Sequence, residues 1–302
     1  MPEPRREPLG IEMVGKPDTR WRPLRIHSSL ANTVEDISGN IESTLKRDYI
    51  PFNDMLGTKS GAVAIVGSGP SLKTNWKELL NFKGDILACN AACQFLLDKG
   101  IVPQYMMCFD ADPLVLEFFT PHQDITYLLG SRVTPKVFDI LEGCRIVVWH
   151  AAGDEKIQEI LESNNRMEPM VIGGSAAVTR AMVLVLPMGY TEVHVYGGDS
   201  SFVDGETHIR KSTTKERRMA VKCGSRVFEV APWMLTQVND LKNMVPLLTS
   251  QNVKLHLHGD GLLQHVAREL GFRTDYESAV QQHIRIFARD WKHKATILWQ
   301  HV

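Results

Sequence analysis

The sequence predicts an α/β protein with a doubly wound, mostly parallel, Rossmann-like sheet. One indication is the continuous apolar run Ala62–Val66, whose length suits a strand that is buried on both faces. The other is that further short apolar runs alternate with segments of helical periodicity, as they do in parallel sheets covered by helices. The predicted strands are Ala62–Val66, Ile86–Cys89, Tyr105–Phe109, Ile125–Leu129, Arg145–Trp149, Glu192–Tyr196 and Val253–Leu257.

Two flanking segments are predicted outside the sheet domain. Residues 1–57 should form an N-terminal arm with one helix over about Ser29–Lys46, because apolar residues recur there at three- and four-residue steps. Residues 58–272 hold the predicted nucleotide-binding domain. Residues 273–302 hold a predicted C-terminal helix, Tyr276–Trp299. For that helix, packing or self-association is favoured over contact with a membrane surface or nucleic acid.

Composition indicates a globular, cytoplasmic protein. The net charge of -1 provides no broad field that would attract nucleic acid, so no nucleic-acid partner is expected. The five cysteines are scattered among apolar residues, which suits a reducing compartment. No apolar run reaches the roughly 18–20 residues that a membrane span needs, and the first residues lack the apolar core of a signal peptide.

The first candidate site is the turn Gly67-Ser68-Gly69-Pro70-Ser71, between a predicted strand and a predicted helix. Glycine lets the backbone approach a ligand closely, and the helix start offers N–H groups and a positive dipole to a phosphate. A plain tight turn uses the same residues. Leu72 stands where the dinucleotide fingerprint has its third glycine, and no Gly-Lys-Ser/Thr follows as in a P-loop.

A second candidate is the acidic pair Asp110 and Asp112, just after the strand Tyr105–Phe109. Two carboxylates so spaced in a loop can both turn toward one Mg²⁺ ion. The alternative is that Asp112 caps a helix beginning at Pro113.

A third candidate is Gly173-Gly174-Ser175, which opens a predicted helix of small residues. A helix start of this kind can bind an anion, but small residues serve close helix packing equally well. The residues alone leave this choice open.

A fourth candidate combines the strand end at Asp199 with the polar segment Ser200–Arg226, which we interpret as an active-site lid. His208 in that segment can act as an acid or base near neutral pH. Four cationic side chains of the segment could close over a polyphosphate, namely Lys211, Lys215, Arg217 and Arg218.

In order and spacing these motifs resemble one superfamily, over about residues 60–260. It contains the archaeal-type 6-hydroxymethylpterin diphosphokinases (MptE-like) and the motility-accessory-factor proteins linked to flagellin glycosylation. Bacterial sialyltransferases like those of Campylobacter are more distantly similar. The motifs are Gly67-Ser68-Gly69-Pro70-Ser71-Leu72, Phe109-Asp110-Ala111-Asp112-Pro113, Gly173-Gly174-Ser175, Gly197-Gly198-Asp199-Ser200-Ser201-Phe202 and Gly205-Glu206-Thr207-His208.

The resemblance implies a role for each motif. Gly67 to Ser71 and Gly173 to Ser175 would hold a nucleotide, and Asn90 is included with them. Asp110 and Asp199 would face its phosphates or a metal. His208 has a place comparable to the catalytic histidine of the sialyltransferases, so Asp110, Asp199 and His208 are the catalytic candidates.

Three functions are consistent with these expectations. The first is Mg²⁺-dependent pyrophosphoryl transfer from ATP to a hydroxymethyl, pterin-like acceptor, with Asp110 and Asp112 as metal ligands. The second is glycosyl transfer from a CMP-linked nucleotide sugar to a small-molecule or glycan acceptor, with His208 as the acid or base. The third is a non-catalytic module that uses its arm and C-terminal helix for assembly. Whichever function holds, the C-terminal helix could form a homo-oligomer.

Overall fold

The computed structural model describes residues 12–13, 33–152, 155–164, 166, 168–210, 217–223 and 225–270. The predicted C-terminal helix Tyr276–Trp299 and most of the arm before Thr33 lie outside these residues.

The described chain alternates strands and helices along most of its length. The strands are β1 Glu12–Met13, β2 Ile50–Pro51, β3 Ala62–Val66, β4 Asp85–Cys89, β5 Tyr105–Cys108, β6 Thr126–Gly130, β7 Arg145–Ala151, β8 Met170–Val171, β9 Glu192–Tyr196, β10 Met219–Cys223, β11 Arg226–Val230 and β12 Lys254–Leu257. The helices are α1 Val34–Leu45, α2 Leu72–Asn75, α3 Ala92–Asp98, α4 Lys136–Ile140, α5 Glu155–Ser163, α6 Ala177–Met188, α7 Met234–Ser250 and α8 Leu262–Leu270. Short 3₁₀ helices cover Phe52–Met55, Trp76–Asn81 and Pro113–Phe118.

The main sheet confirms the predicted fold class. Its strand order is β12-β9-β3-β4-β5-β6-β7-β2, with β8 added beside β7, and its neighbouring strands run parallel. From β3 the chain builds outward through β4, β5, β6 and β7, then returns to add β9 and β12 on the other side. The order therefore reverses between β3 and β9, and such a switch point leaves a crevice at the carboxyl ends of the strands.

The apolar run of β3 divides its side chains between two cores. Val63 and Ile65 pack on one face with residues of α6 and α7, whereas Ala64 and Val66 pack on the other face with residues of α2 and α3. All four side chains are fully buried. A strand covered on both faces needs apolar residues at consecutive positions, which is why the run is continuous rather than alternating.

A second, antiparallel sheet joins β1, β10 and β11. Strand β10 lies inside the segment Ser200–Arg226 that the sequence analysis interpreted as a lid. Its Val221 and Cys223 side chains are buried and the Lys222 side chain between them is exposed. Because the alternation covers only five residues, the sequence of this half-exposed strand resembles that of a polar loop.

Helix α1 begins with a capping box and packs on the main domain. Thr33 and Asp36 exchange hydrogen bonds at its start, which satisfies N–H groups that the helix itself leaves open. Its buried side chains Ile37, Ile41 and Leu45 contact those of α5. Within the described residues, none of the helices has the length and apolar character that crossing a bilayer requires.

Candidate active site at the switch point of the sheet

Two glycine turns meet where the strand order reverses. The backbone N–H of Gly67 donates to the carbonyl of Tyr196 at 2.8 Å, and that of Gly69 donates to the carbonyl of Gly197 at 2.8 Å. A Cβ atom at Gly67 would lie 2.6 Å from the Gly197 oxygen, and one at Gly69 would lie 2.5 Å from it. The contact between the turns therefore requires glycine at both positions, before any ligand is considered.

The buried carboxylate of Asp199 occupies the start of α2. Its Oδ2 atom accepts a hydrogen bond of 2.8 Å from the backbone N–H of Ser71, so a phosphate at that N–H would compete with Asp199. Its Oδ1 atom is buried and has no hydrogen-bond partner among the described residues. Burial raises the pKa of this carboxyl above 3.8, and the hydrogen bonds from Ser71 oppose that rise.

A cleft of about 190 Å³ opens beside these turns. Its lining comes from the carboxyl ends of β3, β4 and β9, the first turn of α6, and the start of α7. The predicted residues that it brings together are Gly67, Ser68, Gly69, Asn90, Asp199 and His208. The small side chains of Ala176 and Ala177 also line it, so the backbone at the start of α6 is accessible from the cleft.

Asn90 brings an unpaired polar group to this cleft. Its backbone is left-handed, with φ of 50°, a conformation that asparagine tolerates better than most residues. Its N–H donates to the carbonyl of Met107 at 3.1 Å, which fixes the turn after β4. The side-chain oxygen is buried and has no hydrogen-bond partner among the described residues, so it can accept from a ligand.

His208 reaches the cleft because the segment after β9 folds back over the Gly67 turn. The backbone N–H of Ile209 donates to the carbonyl of Ser68 at 2.8 Å. His208 Nδ1 lies 2.8 Å from the Thr207 hydroxyl, and its ring stacks on that of Trp233 with centroids 6.1 Å apart. These contacts orient the imidazole at the edge of the cleft.

Two cleft residues, Trp233 and Gln237, were not predicted from the sequence. Both belong to the start of α7, and Gln237 Oε1 accepts a hydrogen bond of 2.5 Å from the Ser200 hydroxyl. These residues follow β11, which the sequence did not predict, and the packing of α7 beside α6 brings them to the cleft.

The acidic pair lies apart from the cleft. Asp112 Oδ1 accepts a 2.9 Å hydrogen bond from the N–H of Leu114, so this residue caps the helix at Pro113, as in the alternative interpretation. Asp110 is exposed and accepts from the N–H of Asp112 at 3.1 Å. Neither residue lines the cleft. Metal binding by this pair stays a prediction.

The Gly173-Gly174-Ser175 turn is hydrogen-bonded to α7. The N–H and the hydroxyl of Ser175 both donate to Asp240 Oδ2 at 2.6 Å, and Thr179 donates to the same oxygen at 3.1 Å. Gly174 has φ of 74°, and a Cβ there would overlap the backbone of Arg180. The turn therefore sets the position of α6, and the cleft lining begins one residue later, at Ala176.

Replacing Asp240 with alanine should destabilise the protein by about 2 kcal/mol, because three donors lose their common acceptor. Denaturant unfolding monitored by circular dichroism measures the change. Asp240→Asn is the matched control, since its amide oxygen can still accept from the Ser175 N–H. An equal loss in both variants would show that the charge of Asp240, rather than its acceptor oxygen, stabilises the turn.

Of the four predicted lid cations, the structure describes two. Arg218 donates to the carbonyl of Gly205 at 3.0 Å, pairs with Glu229 at 3.3 Å, and places its guanidinium 4.5 Å above the Phe202 ring. Arg217 is exposed. Lys211 and Lys215 lie outside the described residues.

Fold and cleft define an α/β protein with a parallel, doubly wound sheet and a polar site at its switch point. A family model described as 6-hydroxymethylpterin diphosphokinase MptE-like matches residues 35–205. The match covers more than half of the chain, and the chain belongs to this family. The resemblance inferred from the motifs is thereby confirmed. Membership in this family supports a transferase function for the chain.

Solved structures show the same fold at low sequence identity. The MAf glycosyltransferase from Magnetospirillum magneticum AMB-1 is 16% identical with a TM-score of 0.54, over 88% of this chain and 45% of that one. The chain thus spans less than half the length of that protein, and the likeness concerns the fold alone.

Two further likenesses are too weak to carry an argument. A mammalian sialyltransferase in complex with Gal-beta-1-3GalNAc-ortho-nitrophenol is 13% identical, with a TM-score of 0.38 over 75% of this chain and 79% of that one. A protein from Lactobacillus plantarum is 15% identical, with a TM-score of 0.27 over 66% of this chain and 61% of that one. No curated protein matches the chain.

Proposed function

We propose that the chain is a nucleotide-dependent transferase that moves a pyrophosphoryl group from ATP to a hydroxymethyl, pterin-like acceptor. The observation that carries the proposal is the cleft itself. It lies at the switch point, and it combines the first turn of α6 with the carboxylate residue Asp199. The membership in a family described by a diphosphokinase supports the choice of reaction.

The first turn of α6 is suited to bind the phosphates. The N–H groups at a helix start have no acceptor inside the helix, and the helix dipole adds positive potential there. The cleft volume of about 190 Å³ is smaller than the roughly 300–1,000 Å³ usual for small-molecule pockets. A nucleotide would therefore place its phosphates in the cleft and extend part of its length through the mouth.

Asp199 fits a magnesium ion better than the acidic pair does. Mg²⁺ is commonly held by one or two carboxylates together with substrate phosphates, and among the described residues Asp199 is the one carboxylate residue that lines the cleft. Asp110 and Asp112 do not line the cleft, so they cannot share that ion. A bound ion would supply charge neutralisation for the phosphates. His208, oriented by Thr207, would accept the proton of the acceptor hydroxyl.

Glycosyl transfer from a CMP-linked sugar is the second candidate, and the position of His208 favours it. An imidazole at the edge of a nucleotide cleft can activate an acceptor hydroxyl without a metal ion. The Trp233 ring beside His208 offers an apolar surface for a sugar or a base.

Thermal unfolding in the presence of nucleotides distinguishes the candidates. Under the proposal, ATP with Mg²⁺ should stabilise the chain, by about 2.7 kcal/mol at a ligand concentration of 100 times Kd, and ATP without Mg²⁺ should stabilise it less. Release of AMP with a hydroxymethylpterin acceptor is the activity expected. Stabilisation by CMP that needs no Mg²⁺, with no AMP release, would establish the glycosyltransferase candidate instead.

A further inference from the structure

A cluster of histidine and glutamate side chains lies on the outer strands of the sheet, away from the cleft. Glu192 and His194 are two residues apart on β9 and therefore project from the same face. His256 on the edge strand β12 is the direct parallel partner of His194, so it projects from that face as well. Glu192 opens β9, whereas the cleft lies past the other end of that strand at Gly197 to Ser200.

The three side chains converge on a small volume. Glu192 Oε1 lies 3.1 Å from His194 Nε2 and 3.2 Å from His256 Nε2, and the three ligand atoms lie within 4.8 Å of one another. Ligands at about 2.0–2.2 Å from a tetrahedral zinc ion are separated by about 3.3 Å, so the two distances from Glu192 are close to those of a metal site. Within the described part of the chain, this is the one group of three such side chains that could hold a metal ion.

A hydrogen-bonded chain behind the cluster can hold His194 in the tautomer that a metal ligand needs. Glu78 Oε2 can only accept, so His258 donates to it through Nδ1 at 3.1 Å. A neutral His258 then presents a lone pair on Nε2, and His194 donates to it through Nδ1 at 3.0 Å. A neutral His194 is left with a lone pair on Nε2. A carboxylate that orients a ligating imidazole in this way is the usual second layer of a metal site.

This tautomer makes the contact between His194 and Glu192 unfavourable without a cation. The lone pair on His194 Nε2 faces the carboxylate oxygen at 3.1 Å, and two acceptors repel each other at that distance. Either an additional proton or a metal ion has to lie between them. The second nitrogen, from His256, lies 3.2 Å from the same oxygen, so that one metal ion could be shared by all three side chains.

We propose that Glu192, His194 and His256 bind one divalent transition-metal ion of the zinc class. Two imidazoles and one carboxylate suit Zn²⁺, Cu²⁺ or Ni²⁺ better than Mg²⁺ or Ca²⁺. The ion clamps the edge strand β12 to β9 and leaves a fourth position open. It is independent of the magnesium ion considered for the cleft, because none of its three ligands lines that cleft.

Calorimetric titration of the chelator-treated full chain with Zn²⁺ tests the proposal. One ion should bind per chain, and the variants Glu192→Gln and His256→Ala should each lower the affinity at least tenfold. Glu78→Gln, which alters the contact to His258 behind the cluster, should lower it roughly tenfold. His122→Ala is the control, since His122 lies on the loop before β6. The affinity of this variant for Zn²⁺ should equal that of the unaltered chain.

Visible spectroscopy with Co²⁺ in place of Zn²⁺ gives a second readout. The unaltered chain should show the intense absorption of a four-coordinate cobalt ion, and the double variant Glu192→Gln/His256→Ala should not. Circular dichroism confirms that each variant is folded, which the exposure of His256 leads us to expect. Absence of zinc binding, or equal binding by the double variant, would overturn the proposal.

Discussion

Replacing Gly197 with alanine is expected to destabilise the protein by about 4 kcal/mol, through a clash and a strained backbone together. The added Cβ would overlap the carbonyl oxygen of Gly67, and the residue has φ of 62°, which side chains other than glycine rarely adopt. Neither turn can withdraw without breaking the hydrogen bond from Gly69 to Gly197. Denaturant unfolding measures the loss.

Gly100→Ala is the matched control for this prediction. Gly100 also has a positive φ, of 75°, but a Cβ there meets no atom of the described residues within 4 Å. We expect it to cost about 1 kcal/mol, which is the strain of the left-handed backbone alone. If the two variants lose the same stability, the close contact between the turns at Gly67 and Gly197 contributes nothing, and the account of the switch point is wrong.

Replacing Asp199 with asparagine is expected to lower the transferase rate roughly 100-fold or more while the fold persists. The amide oxygen can still accept from the Ser71 N–H, so the start of α2 keeps its cap. The negative charge of the carboxylate is lost, and with it the proposed contact to the ion that accompanies the phosphates. Steady-state rates with ATP and Mg²⁺ measure the loss of activity, and the melting temperature shows whether the fold persists.

The same variant should change how stability depends on pH. Burial raises the pKa of Asp199 in the folded state, so folding favours the protonated form. The contribution of this carboxyl is most favourable at low pH and declines as the pH rises through the raised pKa. Asp199→Asn has no such titration, so in metal-free buffer its stability relative to the unaltered chain should improve from about pH 4 to about pH 7.

Asp110→Asn serves as the control for the activity. Asp110 is exposed and does not line the cleft, so its replacement should leave the rate within about twofold. A large loss of activity in Asp110→Asn, with none in Asp199→Asn, would indicate that the metal ion binds the acidic pair after β5. That result would refute the assignment of the ion to Asp199. Unchanged activity at both positions would favour the non-catalytic module.

Much of the fold could be predicted because each strand of a parallel sheet can be recognised from its own residues. Each is a short apolar run between polar turns, and β9 was predicted at its observed bounds, Glu192–Tyr196. The short strands β2 and β8, two residues each, carry too little pattern to be recognised. The antiparallel pair β10 and β11 was missed because its exposed face is polar.

The candidate site could be predicted only in part. Strand ends at Gly67, Asn90 and Asp199 meet because parallel strands end on the same edge of a sheet. The sequence does not say which of those ends are neighbours, and so Asp110, after the more distant β5, was grouped with them. Trp233 and Gln237 reach the site through the packing of α7, and no local sequence pattern predicts that packing.

The position of β9 beside β3 also bears on how the protein is made. Ala62 pairs with Glu192, so the two strands that carry the cleft are joined across 130 positions of the chain. On a ribosome, β3 to β7 can assemble in the order of their synthesis, but the switch point must wait until β9 has emerged. Non-local parallel pairings of this kind form slowly. The nascent chain therefore holds an unpaired edge of β3 while the 125 residues between β3 and β9 are synthesised, and a chaperone that covers this edge would raise the yield of folded protein.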